Sequence, residues 1–150
     1  MSKLTEIKNK YGEKIKIFER SPRRIYLDVK KEDAAEILDY LFNELKARLS
    51  TATALDVREG VEILYHMALD EEGVMLSIRV IVPKPDLKMD SITPRVPSAD
   101  WIEREIHEML GVDFIGHPEL KRFLLPDDWP AGVYPLRKSF SLKDLEGKNG

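Results

Sequence analysis

The residue types best suited to chemistry are concentrated in one run, Glu103-Arg104-Glu105-Ile106-His107-Glu108. On a helix, Glu103 and His107 fall four apart on one stripe, and Arg104 and Glu108 on the next. A carboxylate and an imidazole so placed could exchange a proton or supply half of a metal site. Two ligands do not hold zinc, and no second histidine follows at the spacing a zinc-protease helix requires. The preferred reading is a charged helix face, paired within itself or with a partner. His117 lies in Gly116-His117-Pro118, where a histidine fixes a turn through backbone hydrogen bonds. His66 reads as a half-exposed sheet residue.

A second cluster combines two basic pairs, Lys121-Arg122 and Arg137-Lys138, with Phe123, Trp129, Tyr134 and Phe140. Basic residues among aromatics can bind single-stranded nucleic acid. The net charge of −3 and the intervening Asp127-Asp128 speak against that use. The same residues suit a protein interface, where Trp, Tyr and Arg supply most of the anchoring. Glycine-rich phosphate loops, nucleophile elbows and two-carboxylate sites are absent. With no cysteine, the chain can make neither disulfides nor iron–sulfur ligation.

These clusters need elements to position them. Ser2 to Tyr11 reads as a short helix ending at Gly12. Ile15 and Ile17, then Ile25, Leu27 and Val29, alternate with polar residues on either side of Ser21-Pro22, which predicts a β-hairpin. From Lys31 to Leu49, apolar residues at 34, 37, 38, 41, 42, 45 and 49 recur at helical spacing. Strands are expected over Ala52–Arg58, Val61–Leu69 and Val74–Val82, with short connections that make them antiparallel neighbours. A helix with one apolar stripe over alternating strands gives an α+β fold: a two-layer sandwich of helices on a mixed, largely antiparallel sheet.

Prolines at 83, 85, 94 and 97 stiffen the chain beyond the third strand. A helix from about Ala99 to Leu110 follows, with Ile102, Ile106, Met109 and Leu110 on one side and Gly111 as its cap. Beyond it, prolines at 118, 126, 130 and 135 forbid long elements, so the tail is an extended arm. The division expected is an α+β domain over 1–93, then a helix and docking arm over 94–150, with 143–150 polar and frayed. The Val74–Val82 strand is interrupted by Ser77 and Arg79 and is far too short to span a bilayer. No basic-then-apolar leader opens the sequence. A cytoplasmic location is expected, with membrane association only through partners.

Order and spacing over nearly forty residues carry a resemblance. Glu103-Arg104-Glu105, Met109-Leu110-Gly111-Val112, Gly116-His117-Pro118-Glu119-Leu120-Lys121-Arg122 and Pro135-Leu136-Arg137-Lys138 with Phe140 resemble the thirty-kilodalton subunit family of complex I, the NADH dehydrogenase of respiratory chains. Leu125-Pro126-Asp127-Asp128-Trp129-Pro130 and Gly132-Val133-Tyr134-Pro135 are similar to the branch found in membrane-bound energy-converting hydrogenases and archaeal membrane-bound oxidoreductases. Glu108 and Ser139 depart from it, each standing where aspartate is usual.

The resemblance implies a cofactor-free, non-catalytic subunit of a peripheral arm at the cytoplasmic face of the membrane. Its partners would be the large catalytic subunit and the small iron–sulfur subunit. Iron–sulfur clusters, and nickel–iron in the hydrogenase case, would lie in those partners. Glu103, Arg104, Glu105, His117, Pro118, Arg122, Arg137 and Lys138 would then be interface or arm-fixing residues, joined by Trp129 and Tyr134 as anchors. The alternatives are the equivalent subunit of a respiratory quinone oxidoreductase and, more remotely, a nucleic-acid-binding protein.

Overall fold

The computed structural model describes residues 2–146. Helix α1 (Lys3–Tyr11) starts where the Ser2 hydroxyl accepts the Thr5 amide at 3.2 Å, and it buries Ile7 and Tyr11. Strands β1 (Ile15–Ser21) and β2 (Arg24–Val29) form the expected hairpin, with Ile15 opposite Val29 and Ile17 opposite Leu27. Helix α2 (Lys31–Asp39) follows.

The helix read over 31–49 is shorter than its spacing predicts. After Asp39 the turns widen into a π-helical segment, Tyr40–Glu44, in which Leu45 N bonds Tyr40 O at 3.1 Å. Lys46 then takes φ 57°, and strand β3 (Arg48–Val57) begins four residues earlier than expected. The physical reason lies in Leu45, Ala47 and Leu49, which are all buried. Leu41, Leu45 and Leu49 fit a four-residue helical period, but 45, 47 and 49 also fit the two-residue period of a strand. Pairing of Leu49 with Met67 of β4 decides for the strand.

Strands β4 (Gly60–Leu69) and β5 (Val74–Pro83) complete a five-stranded sheet in the order β1-β2-β5-β4-β3. Every neighbouring pair is antiparallel except β2–β5, which is parallel. The fold is therefore the mixed, largely antiparallel α+β sandwich expected. One sheet face, with Leu27, Ile63, Tyr65, Met67, Leu76, Ile78 and Val80, joins Ile7, Ala34, Ile37, Leu38 and Leu41 in a single core. Full burial of one such side chain stabilises by roughly 1.5–3 kcal/mol. The opposite face carries Lys16, Phe18, Tyr26, Asp28, Glu62, His66 and Arg79, exposed or half-buried.

The proline-rich stretch is more regular than its composition predicts. Strands β6 (Lys88–Asp90) and β7 (Asp113–Ile115) pair in parallel, placing buried Met89 beside buried Phe114. Between them lie a 3-10 turn, Pro97–Ala99, and helix α3 (Asp100–Leu110). Val96, Ala99, Ile106, Leu110, Val112 and Phe114 belong to the same core as the sheet. The core thus runs through the boundary expected at 93/94. Strands and α-helices end at residue 115, where the arm begins. Of the end expected to fray, Leu142–Asp144 form a 3-10 turn capped by Ser141, and residues 147–150 lie outside the described residues.

Candidate functional site

Helix α3 positions the site. Its C-terminus is closed by Gly111 in the left-handed region, φ 81°, with the Gly111 amide on the His107 carbonyl at 2.9 Å. A Cβ at Gly111 would stand 2.8 Å from Tyr134 Cε2 and would also strike the Arg137 guanidinium, so both the turn and the arm require glycine.

Glu103 turns into its own domain. Expected at an interface, it is fully buried and turned toward residues 91–93. Its Oε1 accepts the Ser91 hydroxyl at 2.9 Å, the Ile92 amide at 3.1 Å, the Thr93 amide at 2.9 Å and the Thr93 hydroxyl. Its Oε2 is buried with no partner. Burial pushes the Glu103 carboxyl above its ordinary value, against the pull of Thr93 and Ser91. The helix-face reading missed this because four-residue spacing identifies a stripe and not the direction in which it faces.

Glu108 is also buried and serves the arm. Its Oε1 accepts the Phe123 amide at 3.1 Å, and its Oε2 accepts Leu124 at 2.7 Å and Leu125 at 3.1 Å. Burial alone would raise its carboxyl, but the three amides, with Arg122 at 3.9 Å, outweigh it and hold the group below the usual range. Glutamate in place of the expected aspartate therefore has a clear use: it collects three consecutive backbone donors.

Arginines of α3 and the arm bond backbone within the chain. Arg104 donates to the Arg122 carbonyl at 3.0 Å and lies over the Phe123 ring at 4.6 Å. Arg122 donates to the Trp129 carbonyl at 2.9 Å, and Trp129 Nε1 donates to Val133 O at 2.8 Å. Arg137 donates to the Leu110 carbonyl at 2.8 Å and covers the Tyr134 ring at 4.2 Å. The Lys138 amide reaches Asp56 of β3 at 3.0 Å, and Lys84 Nζ holds the other oxygen of that carboxylate at 2.6 Å. The arm is a strap tied to its own domain, and not a free tail awaiting its first contacts.

The three histidine and glutamate candidates for a metal point to separate partners. His107 Nδ1 donates to the Val112 carbonyl at 2.9 Å. His117 Nδ1 accepts the Glu119 amide at 3.0 Å, which fixes the proton on Nε2, facing the Asp100 carbonyl at 3.2 Å and its carboxylate at 3.0 Å. Among the described residues, no group of three or more His, Cys, Asp or Glu side chains is arranged to hold a metal ion. His107 and Glu108 instead line a cleft of about 420 Å³ between α3 and the arm, with Arg122 and Tyr134 opposite.

Large apolar side chains face outward among the charged ones. Trp101 is 66% exposed, Leu124 56%, Leu136 58% and Leu142 73%, while Glu105 and Pro118 are exposed polar and turn positions. Trp101 stacks on Phe123 at 5.7 Å. Of the residues expected at an interface or fixing the arm, Arg104, Arg122 and Arg137 fasten the strap, and Leu124, Leu136 and Leu142, not singled out there, are exposed on it. Trp101 carried a usable signal, since it lies off the 102/106/109/110 stripe and so cannot serve the core.

Fold and site together define an α+β domain with a C-terminal strap that exposes large apolar side chains. Residues 27–146 match the family described as "Respiratory-chain NADH dehydrogenase, 30 Kd subunit", and the chain belongs to that family. It is 36% identical over 123 residues to a subunit of the F(420)H(2) dehydrogenase of Methanosarcina mazei, covering 80% of this chain and 77% of that one. It is 35% identical to the "Formate hydrogenlyase subunit 5" of Escherichia coli over 77% of this chain, which spans only 21% of that longer protein. Among solved structures, a chain of an archaeal membrane-bound sulfane sulfur reductase superposes with a TM-score of 0.84 at 23% identity, over 97% of this chain and 88% of that one. A trypsin-resistant fragment of Nqo5 gives 0.65 at 22%, over 79% and 100%. Both share the fold. Among the described residues, no helix is long and apolar enough to cross a membrane.

Proposed function

We propose that this chain is a non-catalytic docking subunit in a membrane-bound, complex I-related hydrogenase or oxidoreductase. It sits on the large catalytic subunit, beside the small iron–sulfur subunit, at the cytoplasmic face. The observation that carries this reading is the strap itself. Arg122, Trp129 and Arg137 of the strap bond backbone within the chain, whereas its Leu124, Leu136 and Leu142, with Trp101 of α3 beside them, lie outward and wet. Large apolar side chains held out by a fixed backbone are what a partner surface covers. Fixing the backbone in advance also lowers the entropy cost of association.

The chain would bind no cofactor of its own. Electron transfer and any coupled ion movement would belong to the iron–sulfur clusters, and in a hydrogenase to the nickel–iron centre, of its partners. Membership of a family whose relatives are subunits of such complexes supports this division of labour. The respiratory quinone-linked equivalent is the second reading. Purification of the tagged chain from its native membrane tests the proposal. The large and small subunits should co-elute in fixed proportion, with nickel in the large subunit marking the hydrogenase branch. Elution of the chain alone under conditions that preserve the rest of the complex would refute it.

A further inference from the structure

The sheet face opposite the helices gathers arginines at one end. Register sets Arg24 of β2 beside Met75 of β5, Met75 beside Ala68 of β4, and Ala68 beside Arg48 of β3. Arg24 and Arg48 are three strand spacings apart, roughly 14 Å at the backbone. The two long side chains therefore flank a low floor formed by Ala68 and Met75. With Arg23 from the hairpin turn, and Tyr26, Ser77 and Asp70, they enclose a concavity of about 480 Å³.

Most polar groups in and around this concavity are satisfied. Arg48 grips Asp70 through two bonds of 3.0 Å. His66 is held between Ser77 Oγ at 2.9 Å and Thr53 Oγ1 at 3.3 Å. One row away, Arg79 is taken up by Glu62 at 2.9 Å and Asp28 at 3.5 Å. By contrast, the guanidinium groups of Arg23 and Arg24 and the Tyr26 hydroxyl have no hydrogen-bond or ion-pair partner among the described residues. Three arginines thus face one carboxylate, an excess of two positive charges in a chain of net −3. A positive field over a concave, partly apolar floor concentrates anions. Planar guanidinium forks match phosphate oxygens two at a time.

We propose that this concavity binds a phosphate dianion, gripped by the free guanidinium groups of Arg23 and Arg24 and by the Tyr26 hydroxyl, with the Arg48–Asp70 pair forming the far wall. The site is independent of the docking strap. The phosphate could be that of a soluble ester or of a lipid headgroup, and the chemistry of capture is the same.

The test is a titration of the full chain with inorganic phosphate, followed by NMR at constant ionic strength with chloride as the balancing anion. Saturable shifts are expected at the Arg23 and Arg24 Nε resonances and at the Met75 and Ser77 amides. R23A/R24A should weaken the apparent affinity at least about ten-fold, since it removes both free charge-assisted donors. Both residues are exposed, so the variant should keep its fold, as its melting curve will show. R20A, a neighbouring arginine outside the concavity, should titrate like the parent. Phosphatidic acid vesicles identify the source: retention that free phosphate reverses indicates a headgroup, and saturable phosphate binding without retention indicates a soluble ester. A response that chloride reproduces, or an R23A/R24A titration equal to the parent's, would overturn the proposal.

Discussion

The Arg137 guanidinium donates to the carbonyl of Leu110 at 2.8 Å, so the arm is bolted to the C-terminus of α3. A helix end leaves its last carbonyls without partners, and its dipole favours a cation there. Arg137 meets both demands, and Tyr134 beneath it holds the guanidinium plane in place. An anchor expected on a partner is in this way used to shape the surface that the partner would meet.

Gly111→Ala should be costly out of proportion to its size. The left-handed φ and the collision with Tyr134 and Arg137 act together, and a loss of about 1–3 kcal/mol is expected. Chemical denaturation would measure it. The Leu136 amide, which donates to the Met109 carbonyl at 3.1 Å, should at the same time lose its protection from hydrogen exchange.

Glu108→Ala should release residues 123–125 while leaving the sheet intact. Three amides would lose a buried acceptor, each worth about 1–3 kcal/mol if no water replaces it. Because the folded carboxyl is held below its unfolded value, its contribution is complete above the ordinary 4.5 and fades as pH falls through the folded value. The protection of the Phe123, Leu124 and Leu125 amides, taken relative to each amide's intrinsic exchange rate at the same pH, should therefore fall in acid in the parent, and be low at every pH in the variant.

Glu103 should show the opposite sign. Its folded carboxyl lies above the unfolded value, so its stabilising share is present below about 4.5 and is lost as pH rises through the folded value. The donorless Oε2 explains this, since an unserved oxygen penalises the ionised form more than the neutral one. Unfolding of the parent and of Glu103→Gln, compared from acid to neutral pH, should show the parent's relative stability declining. A relative stability that rises with pH would contradict the assignment. Glu103→Ala, leaving the 91–93 donors without an acceptor, should be much worse than Glu103→Gln.

The elements themselves were largely legible in the sequence, because β2, β4 and β5 alternate along most of their length and the turns are short. The β2–β5 pairing was less so: a parallel contact between distant segments leaves no local mark. The end of α2 was misplaced because Leu45 and Leu49 satisfy two periods at once. For the site, the arm's aromatic and basic content pointed to the right segment, but composition could not say that Arg104, Arg122 and Arg137 bond their own backbone. Glu103 illustrates the limit, since a glutamate in a charged run reads as surface until its burial is seen.

On the proposed function, the outer face of the strap docks on the large catalytic subunit. The affinity of that subunit for the chain should be measured with the parent and with Leu124→Asp/Leu136→Asp, positions whose exposure spares the core. Loss of at least about 2 kcal/mol of binding, about thirty-fold, with an unchanged melting temperature is expected if these leucines are anchors. Undiminished binding by the doubly charged variant would contradict the account.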